Sequence, residues 1–456
     1  DDKVVKPEER QFWSFRLPAR TQPPTVQNVD RARTPIDRFV LAKLEETGLA
    51  YSLDADPVTL ERRAYLDLIG LPPAPDEVDA FLADAAPDAY GRLIDRLLAS
   101  PHFGERWGRH WLDVVGYTDT VGFDIDAALI IQSEGKWQYR DYVIRSFNED
   151  KPYDRFVTEQ LAGDELVDWR AAEKFTPEIR ELLVATGFLR TAQDYTHEPE
   201  SNIPLNHFAV LHDTIEIVGS SLLGLTLNCA RCHDHKFDPI SQQDYYRLMA
   251  LFTPAYNPND WRAVTPYKPG IQDRALPDVS AAERAEIERH NAEIDGKVAE
   301  ANKPLAELRR PYEQRLLDAK LAAIPETIRA DTRTAIETPA DKRSEIQKYL
   351  ASKFEASLKV STDEVIAALN DADKATNTRI GEQIAALNSQ RRSFGKIQAL
   401  FDLGPPPATH LLLRGNHETP GPEVQPGFLS VLDDPAVSAA VPAPLTLPSS
   451  PPAGQR

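Results

Sequence analysis

Cys229-Ala230-Arg231-Cys232-His233 holds the densest chemistry in this sequence. Two thiols three residues apart fall on one side of a helical turn, where both can form thioethers with the vinyl groups along one haem edge. A histidine directly after the second thiol can then bring an imidazole nitrogen onto the iron. The same residue types also suit a redox-active or structural disulfide, or half of a zinc site. A zinc ribbon needs a second cysteine pair, and the chain has only 2 cysteines. A thioredoxin-like motif needs a surrounding βαβ pattern, whereas a helical pattern precedes this pair. One covalently attached haem c, held by Cys229, Cys232 and His233, is the leading expectation. Haem c is attached on the outer side of a bacterial cytoplasmic membrane, so a periplasmic or otherwise exported protein is expected with it. The chain opens on Asp1-Asp2-Lys3 with no apolar leader, and a leader is expected to have been removed.

An iron held by His233 has a second face, and the group there separates a carrier from a catalyst. His110, in Arg109-His-Trp-Leu-Asp113, is the first candidate. Asp113 is placed to orient its ring and raise its basicity, and Trp111 and Leu112 can wall a pocket. If that face is open or water-bound, His110 and Asp113 become an acid–base pair beside the iron. His212, on the apolar face of the helix that feeds the motif, and the single methionine, Met249, are the other candidates. His235 lies too near the motif to reach the opposite face, and is expected to bond a propionate or cap the turn with Asp234 and Asp238. Arg231 and Arg140 suit haem propionates, since arginine pairs bidentately with carboxylates. Tyr117, Asp119 and Asp124, and the Asp164-Glu165 pair, can line a pocket or bind a cation, or simply face solvent. His102, His197 and His207 read as surface or capping residues.

The elements that must position these groups are helical. Of the 456 residues, 41% are hydrophobic and 27% charged, ordinary globular usage at a length that suggests two or three domains. Lysine and arginine number 52 against 71 acidic residues, a net charge of −19, which argues against nucleic-acid or anionic-membrane binding and suits a basic partner. No segment approaches the roughly 18 apolar residues of a membrane span. Thr34-Pro35-Ile36-Asp37 starts a helix with Ile36, Phe39, Val40 and Leu44 at helical spacing and Gly48 as its stop. A second helix is expected from Asp56-Pro57 to Gly70, with further ones over 76–82, 87–98 and 206–223. Residues 280–400 turn to Ala, Glu, Lys and Arg with apolar residues at helical spacing, broken at Pro304, Pro311, Pro325 and Pro339. Thr409 to Gly415 reads as a short strand ending in a turn, and the chain beyond Leu445 as loose. The expected fold is mainly α. It comprises a helical haem c domain over 1–278, a long antiparallel helical hairpin insertion over 279–400, and a small irregular β-containing segment over 401–456.

Longer stretches carry a resemblance. Cys229-Ala-Arg-Cys-His-Asp-His-Lys-Phe-Asp-Pro239 with Gln243-Asp-Tyr-Tyr246 resembles the planctomycete-type secreted cytochrome family, which carries a domain of unassigned function. Thr34-Pro-Ile-Asp-Arg-Phe-Val40, Leu66-Asp-Leu-Ile-Gly-Leu-Pro-Pro73, Ser100-Pro-His-Phe-Gly-Glu-Arg-Trp107, His110-Trp-Leu-Asp113, Tyr139-Arg-Asp-Tyr-Val143 and Lys151-Pro-Tyr-Asp-Arg-Phe156 fit in the same order. The resemblance spans about residues 8–255 and, more loosely, 400–430. It implies haem c and export, and points to no substrate. It also implies a smaller cytochrome-like domain before this region and a large domain after it, so the chain reads as the middle part of a longer protein.

A c-type cytochrome passing electrons, or using its haem in an oxidoreductase reaction, is the functional expectation. A core of about 250 residues exceeds the roughly 100 that enclosing one haem requires, which favours the second. The rival of a different class is a scaffold in which haem is structural and the hairpin recruits partners.

Overall fold

The computed structural model describes residues 5–121, 131–194, 196, 200–263 and 273–432. His197, Asp124 and the stretch beyond Leu445 lie outside them. The chain forms two compact units, Asp1–Ser280 with Gly395–Arg456, and Ala281–Phe394. Both are mainly α.

The first unit runs through α1 (Pro7–Arg10), α2 (Pro35–Glu46), α3 (Pro57–Leu68), α4 (Pro75–Ala83), α5 (Ala89–Leu98) and α6 (Pro101–Val114). It continues through α7 (Trp137–Asn148), α8 (Tyr153–Ala162), α9 (Pro177–Ala185), α10 (Pro204–Val218) and α11 (Gln242–Ala250). Start signals are local and strong. Thr34, Asp56, Ser100 and Thr176 cap α2, α3, α6 and α9 with side-chain oxygens, and a proline follows each. The cap satisfies a backbone N–H with no helical partner, and proline at the first position gives up an N–H that would have been an orphan anyway.

Periodicity misjudges what α2 buries. Ile36, Phe39 and Val40 are 72%, 41% and 45% exposed, and Leu41 is the buried residue. The main core is built instead from α7 to α11, where Tyr139, Tyr142, Leu183, Phe188, Leu211, Ile215 and Tyr246 are sealed from solvent. Helix α6 closes on α7 through two glycines. A Cβ on Gly104 would lie 2.3 Å from Ile144 O, and one on Gly108 would lie 3.3 Å from Ile144 Cγ1. Any side chain at Gly104 would force the two helices apart.

Three two-stranded antiparallel pairs occur among the described residues: β1 (Thr120–Val121) with β2 (Ile131–Gln132), β3 (Leu276–Pro277) with β4 (Lys396–Ile397), and β5 (Thr409–Leu412) with β6 (Pro420–Val424). The β5–β6 hairpin belongs to the first unit. Its Leu412 and Val424, with Leu429 beyond, are buried in the same cluster as α10 and α11.

The second unit holds α12 (Ala281–Ala322), α13 (Glu326–Glu337), α14 (Glu345–Leu358), α15 (Thr362–Ala368) and α16 (Asp371–Asn388). Helix α16 runs antiparallel to α12. His290 Nε2 meets Gln390 O at 2.8 Å near one end, and Arg309 Nε donates to Asn377 Oδ1 at 2.8 Å further along. The expected breaks at Pro304 and Pro311 do not occur, since both lie inside the 42-residue α12. Each proline forfeits one backbone hydrogen bond, and a long helix braced by a neighbour absorbs that loss. Pro325 and Pro339 do end segments, preceding α13 and a 3₁₀ turn. Among the described residues no helix is long and apolar enough to cross a membrane.

Candidate functional site

The cysteine segment is delivered by α10. The helix ends in a π-type turn, Gly219–Leu223, closed by Gly224 in the left-handed region at φ 65°. A Cβ on Gly219 would lie 2.7 Å from the Leu227 side chain, so glycine there lets the chain fold back under the helix end. Asn228–Arg231 then forms one 3₁₀ turn carrying Cys229, and Cys232 terminates it. Both thiols are unpaired and exposed. Ser241 caps α11, which follows, in a reciprocal box with Asp244.

One backbone carbonyl of the turn is tied down from outside it. Arg231 O accepts from Gln242 Nε2 at 2.9 Å and from Tyr246 OH at 2.8 Å. The same Gln242 amide donates to Leu412 O at 3.0 Å, clamping the hairpin over the turn. His233 is exposed, and its Nδ1 lies 2.7 Å from Asp234 O. A carbonyl oxygen only accepts, so Nδ1 carries the proton and the lone pair sits on Nε2. That is the tautomer an iron-ligating histidine needs.

Gly415 packs closely against the Cys232 thiol. It sits at φ +71°, and a Cβ built on it would fall 2.7 Å from Cys232 Sγ and 3.2 Å from Arg231 Nε. Gly415→Ala should therefore displace the turn as well as strain the backbone by about 1 kcal/mol or more. Reactivity of Cys232 toward a maleimide should change in this variant while that of Cys229 stays closer to wild type. Equal rates at both thiols in variant and wild type would contradict this packing.

The other expected site residues fall in three places. His212 lies beside the turn. It is buried, its Nδ1 pairs with Tyr245 OH at 2.7 Å, and its Nε2 has no hydrogen-bond partner among the described residues. Burial, with the Arg231 charge as the smaller cause, pushes its pKa down to about 3, so the ring is neutral. Arg231 points into this region, reaching Gly415 O at 3.5 Å from Nη2. His235 caps its own turn: its Nδ1 accepts from Asp238 N at 2.8 Å. Met249 is a core methionine, 2% exposed.

His110 is elsewhere. It is exposed on α6 and lines an apolar cleft of about 580 Å³ with Phe103, Trp107, Trp111, Phe147 and Tyr153, and no residue of the 229–233 motif lines that cleft. Asp113 does not orient it. Asp113 faces Arg109 at 3.6 Å, and the His110 ring meets Trp107 edge-on at 5.6 Å. An Arg–Asp pair one helical turn apart takes the carboxylate, and at three residues' distance the imidazole loses it. Arg140 pairs with Asp141 at 2.9 Å and Asp119 at 3.8 Å, and Asp119 also accepts from Tyr117 OH. His102 bonds Glu105, His207 stacks on Trp261, and Asp164 is buried with Glu165 in a 3₁₀ turn.

Sequence reasoning missed Gln242, Gly415 and His417. His417 stacks on Phe208 at 5.5 Å, and Phe208 in turn lies 6.2 Å from His212. The one available signal was the strand-and-turn reading of Thr409 to Gly415. Among the described residues no group of three or more His, Cys, Asp or Glu is arranged to hold a bare metal ion.

With this geometry in place, the fold and turn define a mainly α protein carrying an accessible dithiol–histidine motif. Residues 35–257 are similar to the PSCyt2 family, described as a protein of unknown function (DUF1549). No curated protein and no solved structure matches the chain.

Proposed function

We propose that this chain carries one haem c on Cys229, Cys232 and His233 and exchanges electrons with a partner that docks over the exposed turn. One observation carries the reading: two unpaired, exposed thiols on a single 3₁₀ turn, followed by a histidine whose Nδ1–H is engaged by Asp234 O. The thiols would anchor the haem edge, and His233 Nε2 would face the iron. Gln242 and Tyr246 brace the turn's backbone at Arg231 O, between the two thiols. Bound haem supplies a one-electron couple. His212 is the second-face candidate that the packing favours, because its buried Nε2 is without a partner among the described residues and Arg231 is its neighbour. His110 and Asp113 are no longer favoured in that role.

Export accompanies the proposal, because haem c is attached outside the cytoplasm. The net charge of −19 suits a redox partner with a basic docking face. Electron transfer is preferred over an oxidoreductase reaction with a small substrate because the motif is exposed on the surface.

His233→Ala tests the ligand assignment. The variant keeps both thiols, so haem should stay covalently attached while the Soret band shifts and weakens. A spectrum identical to wild type would show that another residue ligates the iron.

A further inference from the structure

A second cleft, of about 520 Å³, lies in the first unit. Its walls are the loop after α6, the start of α7, the segment after the 3₁₀ turn Thr186–Arg190, and one face of α10. The volume is in the range of small-molecule sites. Its polar groups converge: Thr118, Lys136, Thr191 and Asp194 with Asp213 and Glu216. Asp213 and Glu216, three apart on α10, share one face of the helix. Asp194 is fixed by Thr196, whose N–H donates to Oδ1 at 2.8 Å, and Thr196 is itself held by Trp261 Nε1 at 2.7 Å.

Acidic residues around a cleft would by themselves mean little. Lys136 is the second observation. It is 5% exposed and lines the cleft, and its ammonium makes no hydrogen bond or ion pair among the described residues. Its backbone is engaged instead, with the carbonyl accepting from Tyr117 OH at 3.2 Å. A buried lysine is normally paired, because an unpartnered charge out of water is costly. Burial, then the nearby Arg190 charge, lower its pKa to about 8, against the opposing pull of Asp194 and Asp119. Among the described residues the amine is thus a donor that faces the cleft without a protein acceptor.

The lining also selects the ligand. Three carboxylates against one amine disfavour phosphate, sulfate or carboxylate ligands. Among the described residues the lining has two apolar side chains, Ile217 and Ala192, against a majority of polar ones. Carboxylates that accept, and hydroxyls and an amine that donate, match a ligand rich in hydroxyl groups.

We propose that this cleft is a ligand site separate from the cysteine motif, and that it takes a hydroxyl-rich ligand of the sugar class without anionic groups, with Lys136 as the central donor.

Saturation-transfer NMR on the full chain tests this with methyl glycosides of glucose, galactose, mannose, xylose and N-acetylglucosamine, and with glucose 6-phosphate as the anionic control. At least one neutral glycoside should show transfer and glucose 6-phosphate none. Lys136→Met should weaken binding about tenfold, the loss of one charged hydrogen bond. Methionine fills the same space and removes an unpaired buried charge, so the melting temperature of Lys136→Met should equal or exceed that of wild type. The Cys229→Ala/Cys232→Ala protein should bind the glycoside as wild type does, which separates this site from the haem proposal. No transfer from any glycoside, undiminished transfer in Lys136→Met, or a lower melting temperature in that variant would each overturn the assignment.

Discussion

Glu159→Ala should destabilise the first unit by about 3 kcal/mol, the scale for breaking a buried ion pair from one side. The Glu159 side chain is 2% exposed and its two oxygens serve three donors. Lys151 Nζ donates at 2.6 Å and Tyr142 OH at 2.9 Å to one oxygen, and Arg155 Nε donates at 2.6 Å to the other. Lys151 is itself 6% exposed and sits 4.5 Å over the Tyr142 ring. Without Glu159 it keeps, among the described residues, Glu181 at 2.7 Å from a more exposed position. Desolvation raises the Glu159 pKa, but the bonds from Lys151, Arg155 and Tyr142 outweigh it and hold the carboxyl below its ordinary 4.5. The unfolded chain therefore takes up this proton first as pH falls. The stabilisation is complete above the unfolded value and is lost as pH drops through the folded one. All 6 tryptophans lie between Trp13 and Trp261, so urea unfolding followed by tryptophan fluorescence reads this unit alone. The wild-type midpoint should fall on acidification below about pH 4.5 more steeply than that of Glu159→Gln. Parallel pH curves, or an unchanged midpoint in Glu159→Ala, would show that the network contributes little.

Replacing Cys229 and Cys232 together by alanine should abolish covalent haem and leave the fold intact. The turn does not depend on the thiols. Its carbonyl at Arg231 is held by Gln242 and Tyr246, and Ala230 is its buried residue. Truncating two exposed side chains of this size changes stability by roughly 0.5 kcal/mol or less each. Haem that associates with the variant through His233 alone should leave on extraction, while each single-cysteine variant should keep one thioether. The far-ultraviolet circular dichroism and the fluorescence midpoint should match those of wild type produced without haem. Haem retained through extraction by the double variant would contradict attachment at these thiols.

Legibility from sequence followed the range of the interactions. Helix starts were readable because a cap, a proline and a first-turn carboxylate are neighbours in the chain, as at Thr34, Pro35 and Asp37. The mainly α character and the antiparallel long helices followed from composition and period. Burial was less readable. The Ile36, Phe39 and Val40 stripe has the right spacing yet remains exposed, and Glu61, one turn into α3, is buried. Spacing fixes which residues share a face, and tertiary packing decides which face is covered. Prolines at 304 and 311 were read as breaks because local rules cannot weigh the support that α16 gives α12.

The candidate site divides the same way. Cys229, Cys232 and His233 are contiguous and announced themselves. The residues that brace them do not: Gly415 reaches Cys232 from 183 positions away, and Leu412 shares Gln242 with Arg231 across 170. Nothing near Gly415 in sequence signals a thiol neighbour. Lys136 is equally silent, since a lysine in a loop is ordinarily solvated and only the packing around it removes the water. His110 illustrates the opposite error. Its proximity to Asp113 in sequence suggested a pair that Arg109 pre-empts.

Haem content of the polypeptide after extraction tests the central proposal most directly. The full chain, produced with export and cytochrome c maturation, is extracted with acidified acetone, and a pyridine haemochrome spectrum is then recorded on the precipitated protein. Haem that stays with the polypeptide at about one per chain is the expected result. Haem that leaves with the acetone, or a protein that carries none, would contradict it.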